Sequence, residues 1–327
     1  MVTFLIRRTM LAILTIWAIT VLSFIIIQLP PGDFVSAYIA QLQSSGSIVS
    51  AQEAEMLRNQ YGLDQPIYMQ YLKWMGLVFQ GNFGMAMEYG LPVIDVIGDR
   101  LWMTMVVSVA AILLTWIVAL PIGIYSAVRQ YSIGDYVFTF IGFIGIATPS
   151  FLLALVLMYL GFKFFSINIG GLFSPEYLDA PWSVGKAWDL LKHLPLPALI
   201  LGLAGTAQLI RIMRANLLDE LRKPYVAAAR AKGLTERKLI LKYPVRVALN
   251  PFISTIGYLF PYIVSGSIIV SLVLSLPTVG PLLLKALIAQ DMFLAGTIVL
   301  MLGVMTVIGT FVSDLLLMWV DPRIRLG

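Results

Sequence analysis

The chain has 327 residues, 59% of them hydrophobic and only 12% charged, with a net charge of +5, a single histidine and no cysteine. A soluble domain is about 25% charged, so most of this chain belongs in lipid, and its basic residues lie between apolar runs, where they set membrane orientation instead of gripping nucleic acid. Lack of cysteine excludes disulfides, thiolate metal sites and cysteine nucleophiles, and His193 alone, beside Lys192 and Pro195, reads as an interfacial residue at a helix entrance.

A helix crosses the hydrocarbon with ~20 apolar residues. Six segments meet that length: residues 9–29, 101–128, 136–165, 194–210, 252–276 and 293–320. The expected fold class is therefore an all-α integral membrane protein with six transmembrane helices. The first segment follows Arg7 and Arg8, is too long for the core of a signal peptide and has no small-residue cleavage site after it, so it reads as an uncleaved anchor. Placing Arg7 and Arg8 inside puts both termini and the loops 129–135 and 211–251 in the cytoplasm. Fifteen Lys and Arg residues then lie inside against six outside, with Lys163 near a span end uncounted, which is the positive-inside asymmetry.

Residues 30–100 form the sizeable outer insert, between a first part at 1–29 and a permeation core at 101–327. Ser50 with Glu53 has the capping-box spacing, so a helix starts there and ends at Gly62. Asp64 and Pro66 start a second helix that carries Ile67, Tyr71 and Trp74 on one apolar face. Neither is long enough to span, so the insert reads as a small helical cap on the outer surface. A shorter outer loop, 166–192, has the turn formers Gly170, Gly171, Pro175 and Pro181 and the interface anchors Trp182 and Trp188.

Ion-coupled carriers bury ionisable groups at membrane depth. Here Lys163 and Asp314 lie near span ends, where either can reach the interface. The polar groups inside the spans are neutral: Thr139, Thr148 and Ser150 in the third, Gln208 in the fourth, and Ser254, Thr255, Tyr258, Tyr262, Ser265 and Ser267 in the fifth. Gly142, Gly145, Gly257 and Gly266 suit helix packing. The fifth span, with its hydroxyls, two tyrosines, Pro261 and an expected break at Gly266, is the candidate to line a wet path. Its pathway candidates are Ser254, Tyr258, Tyr262, Ser265 and Ser267, joined by Thr148.

No phosphate loop occurs, since Gly185-Lys186-Ala187 lacks the upstream glycine and the hydroxyl. Nor is there a serine–histidine pair at membrane depth. No catalytic residue, metal site or cofactor site is expected on the chain, and it cannot hydrolyse ATP unaided.

Ten of the 22 Lys and Arg residues fall between Arg211 and Pro251. Pro224 suits a first helical turn, Ala227, Ala228, Ala229 and Ala231 are strong helix formers, and Gly233 supplies a left-handed cap. Thr235 caps a second short helix that begins at Glu236 and Arg237 and stops at Pro244, with Leu234, Leu239, Ile240 and Leu241 on the side to be buried and Arg237, Lys238 and Lys242 wet. Two readings remain open from the residues: a docking lever for a soluble partner, or an ordinary positive-inside loop.

At these residues the chain resembles the permease subunits of binding-protein-dependent ABC importers. Ala228-Ala229 followed by Gly233 matches the A-A-x-x-x-G signature, with Ala227 in place of its initial glutamate, and Tyr225-Val226 with Ala229-Arg230-Ala231-Lys232-Gly233-Leu234 resembles the B-type permease of the dipeptide, oligopeptide and nickel branch. The likeness continues in order along the chain: Arg7-Arg8, Pro31-Gly32-Asp33, Tyr61-Gly62-Leu63-Asp64-Gln65-Pro66, Gly81-Asn82-Phe83-Gly84, Leu196-Pro197-Ala198 and Asp321-Pro322-Arg323-Ile324-Arg325.

The resemblance implies that Ala228, Ala229, Gly233, Thr235, Glu236 and Arg237 form a coupling helix region docked on an ATPase subunit. It also implies a second homologous permease subunit, two ATP-binding subunits that hold the ATP and Mg, and an external solute-binding protein, in a bacterial or archaeal cytoplasmic (inner) membrane. One departure bears on substrate. The branch usually reads E-x-V-F-x-x-P-G-L-G after the fifth span, whereas this chain has Ser271, Val273, Leu274, Pro277, Thr278 and Gly280. Loss of that carboxylate weakens the di- or oligopeptide reading and raises an oligosaccharide as the alternative solute. A proton-coupled carrier and a membrane enzyme are the rivals from other classes.

Overall fold

The computed structural model describes residues 2–44, 50–165 and 169–320. Helix α1 (Val2–Ile27) precedes three shorter helices, α2 (Phe34–Ser44), α3 (Ala51–Tyr61) and α4 (Ile67–Phe79), and a two-stranded antiparallel hairpin, β1 (Met85–Ala86) and β2 (Leu91–Pro92), that pairs Met85 with Pro92 and Ala86 with Leu91. Then come α5 (Val93–Val128), α6 (Ile133–Ala147), α7 (Ser150–Phe165), α8 (Val184–His193) and α9 (Pro195–Leu221). The short helices α10 (Pro224–Ala231), α11 (Glu236–Lys242) and α12 (Pro244–Ser254) lead to α13 (Ile256–Val273), α14 (Val279–Ile288) and α15 (Met292–Val320). The described residues are thus all-α apart from the small hairpin.

Among the described residues, four helices are long and apolar enough to cross a membrane: α1 from Arg8, α5, α9, and α15 as far as Leu316. The six straight spans expected from the sequence need correction at two places. Residues 136–165 are not one rod, because α6 and α7 meet at a bend of 104°. Pro149 lacks the N–H a continuing helix needs, and its ring pushes Thr148 out of the helical region to φ −89°, ψ 120°. Counted as one span, that pair makes a fifth. Residues 252–276 are interrupted at Thr255, between α12 and α13, and Gly266 lies inside α13 instead of breaking it.

The described residues divide into two compact units. The first comprises Met1–Trp102 and Thr278–Val307. Its cap forms as the local signals dictate: Ser50 and Glu53 make both bonds of a capping box, and Gly62 closes α3 in the left-handed region at φ 69°. Asp33 accepts from Arg58 Nε at 2.7 Å and from the Ser36 N–H at 2.7 Å, which joins α2 to α3. Burial pushes the Asp33 carboxyl up, but the bonds from Arg58 and Ser36 outweigh it and hold the group below its ordinary range.

Trp74 of α4 is fully buried against Phe24 of α1, with ring centroids 6.0 Å apart, and Thr20 and Tyr71 share a hydrogen bond of 3.0 Å. Ile67, expected on the same face, is exposed, as are Tyr68, Leu72 and Phe79. An apolar flank thus remains on α4 after its aromatic ridge is buried. Asp291, completely buried ahead of α15, accepts from the N–H groups of Met87 at 2.6 Å and Leu294 at 3.0 Å, so one carboxylate caps α15 and pins the hairpin.

The second unit comprises Met103–Pro277 and Ile308–Gly327. Helix α9 is its axis, packed on α6, α7, α12 and α13. Close approach depends on glycine at Gly202, where a Cβ would run into the Thr115 hydroxyl and the Ala111 carbonyl of α5. One apolar cluster joins Val107, Ala111, Ala198, Leu201, Ile263 and Val270. A second joins Met213 and Leu217 of α9 to Val226, Leu239, Val245, Phe252 and Leu259. The loop before α8 is held by Asp189, which accepts from the Ser174 N–H at 2.7 Å, while His193 Nδ1 lies 2.8 Å from the Asp189 carbonyl.

Candidate functional site

The basic segment folds as two short helices at a turn. Pro224 occupies the first turn of α10, where its missing N–H has no intrahelical partner to lose. After Lys232, Gly233 adopts φ 77°, a left-handed conformation in which its N–H still reaches the Arg230 carbonyl at 3.0 Å. Thr235 stands at the N-cap of α11 with extended backbone, but its hydroxyl makes no capping bond. Across the turn Arg230 and Glu236 form a two-pronged ion pair, with Arg230 Nη2 at 3.1 Å from Glu236 Oε2 and a second bond from Nε to Oε1. That guanidinium holds the Glu236 carboxyl below its ordinary range.

The two faces of this pair differ sharply. Val226 and Leu239 are fully buried in the cluster with Met213, Leu217, Phe252 and Leu259. On the other side Ala227, Ala228 and Ala231 are exposed, Ala229 is half-buried, and Gly233, Thr235, Glu236 and Arg237 are exposed. Leu241, expected to be buried, is exposed instead, because a seven-residue helix turns its two consecutive residues Leu239 and Ile240 inward and carries Leu241 past the contact. Tyr225 donates to Glu220 Oε2 at 2.6 Å, and burial together with that carboxylate raises its phenol well above the ordinary value.

Sequence reasoning missed a second fixture. Arg214 of α9 reaches Asp135 of α6 with Nε at 3.1 Å and Nη2 at 2.9 Å, and the Asp135 carboxylate also accepts from the Tyr131 N–H at 3.0 Å. A lone acid in the short loop 129–135, facing a loop rich in arginine, was the available signal.

Of the pathway candidates, Thr148 and Tyr262 line one cavity of about 260 Å³, together with Pro149, Ser150, Ala204 and Gly266. Ser267 does not line it: the residue is buried and its hydroxyl bonds the Val264 carbonyl at 2.7 Å. Ser254 is exposed, with its hydroxyl on the Pro251 carbonyl at 2.7 Å. The side chains of Tyr258 and Ser265, and residues 321–325 at the end of the chain, lie outside the described residues. Ser271, where the family pattern has a carboxylate, is fully buried, so the position does not open on an outer mouth.

The family of binding-protein-dependent transport system inner membrane components matches residues 119–326, and the N-terminal family of such membrane components matches residues 1–110. The chain is 34% identical to the oligopeptide transport system permease protein AppB of Bacillus subtilis, over 99% of this chain and all of the relative. It is 30% identical to the dipeptide transport system permease protein DppB of Lactococcus lactis, over the whole of both chains. It is 31% identical to the glutathione transport system permease protein GsiC of Escherichia coli, over 99% of each. With one family covering well over half its length, this chain belongs to the inner membrane components of binding-protein-dependent transport systems.

Proposed function

We propose that the chain forms one half of the translocation pathway of an ABC importer for a di- or oligopeptide-like solute, which an external binding protein delivers. A second homologous permease supplies the other half, and two ATP-binding subunits, which hold ATP and Mg, drive the cycle. The alanine face of α10, with Gly233, Thr235, Glu236 and Arg237, docks on one ATP-binding subunit, and both termini lie in the cytoplasm. The observation that carries the reading is the two-sidedness of the short helices: small and exposed outward, while Val226 and Leu239 are locked into the cluster of α9 and α12. A push on the outer face is transmitted to the membrane helices because packed interiors do not absorb strain locally.

The peptide class rests on the relatives, whose names specify oligopeptide, dipeptide and glutathione transport. The missing carboxylate at Ser271 would favour an oligosaccharide only if that residue faced the solute, and it is fully buried.

The test is Gly233→Pro. Proline fixes φ near −65° and has no N–H, so it is incompatible with φ 77° and with the bond to Arg230. The variant is expected to insert in the membrane while losing both uptake and solute-stimulated ATP hydrolysis. Normal uptake by that variant would falsify the coupling role.

A further inference from the structure

The glycines inside the second unit's membrane helices are not alike. A Cβ at Gly142 would meet Ala207 at 3.3 Å, one at Gly145 would meet Leu203 at 2.9 Å, and one at Gly205 would meet Leu259 at 3.2 Å. These are close-packing glycines, placed where helices touch. At Gly266 of α13 a Cβ would meet nothing within 4 Å. Helix packing does not account for it, and the empty space there belongs to the cavity of about 260 Å³ shared with Thr148, Ser150 and Tyr262.

The bend between α6 and α7 opens onto the same cavity, since Thr148, Pro149 and Ser150 all line it. A non-helical backbone at membrane depth is tolerated where it lines a cavity or is buried in protein, because its polar groups need partners that lipid does not supply. Two independent features, an unfilled glycine and a broken span, thus converge on one space. Its described lining residues carry no formal charge, and its polar side chains are the hydroxyls of Thr148, Ser150 and Tyr262.

We propose that this cavity is a contact site for the solute in transit and that it recognises the uncharged amide groups of a peptide backbone, not the charged ends. A hydroxyl both donates and accepts, so three of them can match N–H and C=O groups in any register along a moving chain. A fixed charge would hold a peptide terminus and resist its release, whereas conduction needs contacts weak enough to leave. The volume is below the ~300–1,000 Å³ of pockets that engulf a whole ligand, so the cavity takes one or two residues at a time. The inference rests on the peptide-importing reading given above.

The chain has no cysteine, so Gly266→Cys gives the subunit a single thiol. The complete complex, reconstituted in proteoliposomes with its binding protein, is first shown to import a tetrapeptide that the binding protein retains from a mixed peptide library. Import by the unlabelled thiol variant is measured as the reference for its labelled form, and ATP with loaded binding protein should slow its reaction with a bulky maleimide at least threefold. Once labelled, it should lose import at least tenfold while keeping ATP hydrolysis, and Gly266→Phe should behave like the labelled protein.

Import by the labelled complex within twofold of its unlabelled form, or a labelling rate that loaded binding protein leaves unchanged, overturns the proposal. So does a thiol that the maleimide never reaches during turnover. Failure of the parent complex to import any library peptide would instead overturn the peptide reading, and this site assignment with it.

Discussion

Arg214 of α9 holds Asp135, the third residue of α6, through paired hydrogen bonds of 3.1 and 2.9 Å, and the carboxylate side chain is only 5% exposed. The same stretch of α9 carries Met213 and Leu217, which touch the buried sides of α10 and α11 through their shared cluster. The ion pair therefore fastens the loop 129–135 to the helix that bears the lever. A planar guanidinium satisfies both carboxylate oxygens at once, which a lysine cannot do.

Removal of Asp135 leaves the Arg214 guanidinium, 28% exposed, without its carboxylate and should cost ~1–3 kcal/mol, less than the loss of a partner in a fully buried pair. Asp135→Ala is expected to lower the melting temperature of the purified complex sharply. Arg214→Lys keeps the charge but loses the fork, and should fall between that variant and the parent. The double change Asp135→Ala with Arg214→Met should recover part of the loss. Equal melting temperatures for Asp135→Ala and the parent would contradict a structural role for the pair.

The two faces of the short helices α10 and α11 predict opposite phenotypes. Leu239→Ala empties a fully buried site in the lever cluster and should cost ~2–5 kcal/mol. Ala228→Trp changes an exposed residue, so the chain should keep its own stability. Bulk on the docking face should nonetheless abolish co-purification of the ATP-binding subunits. Retention of those subunits by Ala228→Trp at parental stoichiometry would place the docking surface elsewhere.

What could be read from the sequence follows from how local the determinants are. The box at Ser50 and Glu53, the caps at Gly62 and Gly233 and the limits of α10 and α11 each depend on residues within one helical turn, and the structure has them where the spacing put them. The bend at Thr148 was hidden because proline alone does not break a span. Pro121 lies inside α5, Pro251 inside α12 and Pro261 inside α13, and it is at Pro149 that a helix ends. Arg214 and Asp135 are 79 residues apart, so their pairing is a property of helix packing that no local pattern encodes. Ser267 looked like a pathway residue for a related reason: its hydroxyl is polar, but it is spent on the backbone of its own helix.

Asp291 gives the first unit a pH dependence whose sign is fixed by burial. Desolvation raises its carboxyl to about 6, and the N–H bonds from Leu294, Met87 and Glu88 only partly offset that effect. The unfolded group titrates near 3.8, so between those values the folded state binds the extra proton and stability falls as pH rises. From pH 4 to pH 7 the loss is ~2 kcal/mol. Melting curves of the parent should therefore shift downward across that interval relative to Asp291→Asn, which cannot titrate there. A gap between the two proteins that stays constant with pH would refute the assignment.

Trp74 and Gly296 make a close contact in the same unit. The indole is fully buried, stacks on Phe24 at an interplanar angle of 21°, and lies where a Cβ on Gly296 would meet its Cζ2 at 3.3 Å. Trp74→Ala should cost ~3–5 kcal/mol by leaving a cavity, and Gly296→Leu should cost ~1–3 kcal/mol by pushing into a filled site. Each change supplies what the other lacks, since the leucine can occupy part of the volume that the indole vacates. The double variant should accordingly be at least ~1 kcal/mol more stable than the sum of the single effects, measured by denaturant unfolding of the purified complex. Strict additivity would mean that the two residues do not touch, and that Trp74 packs on Phe24 of α1 without meeting α15.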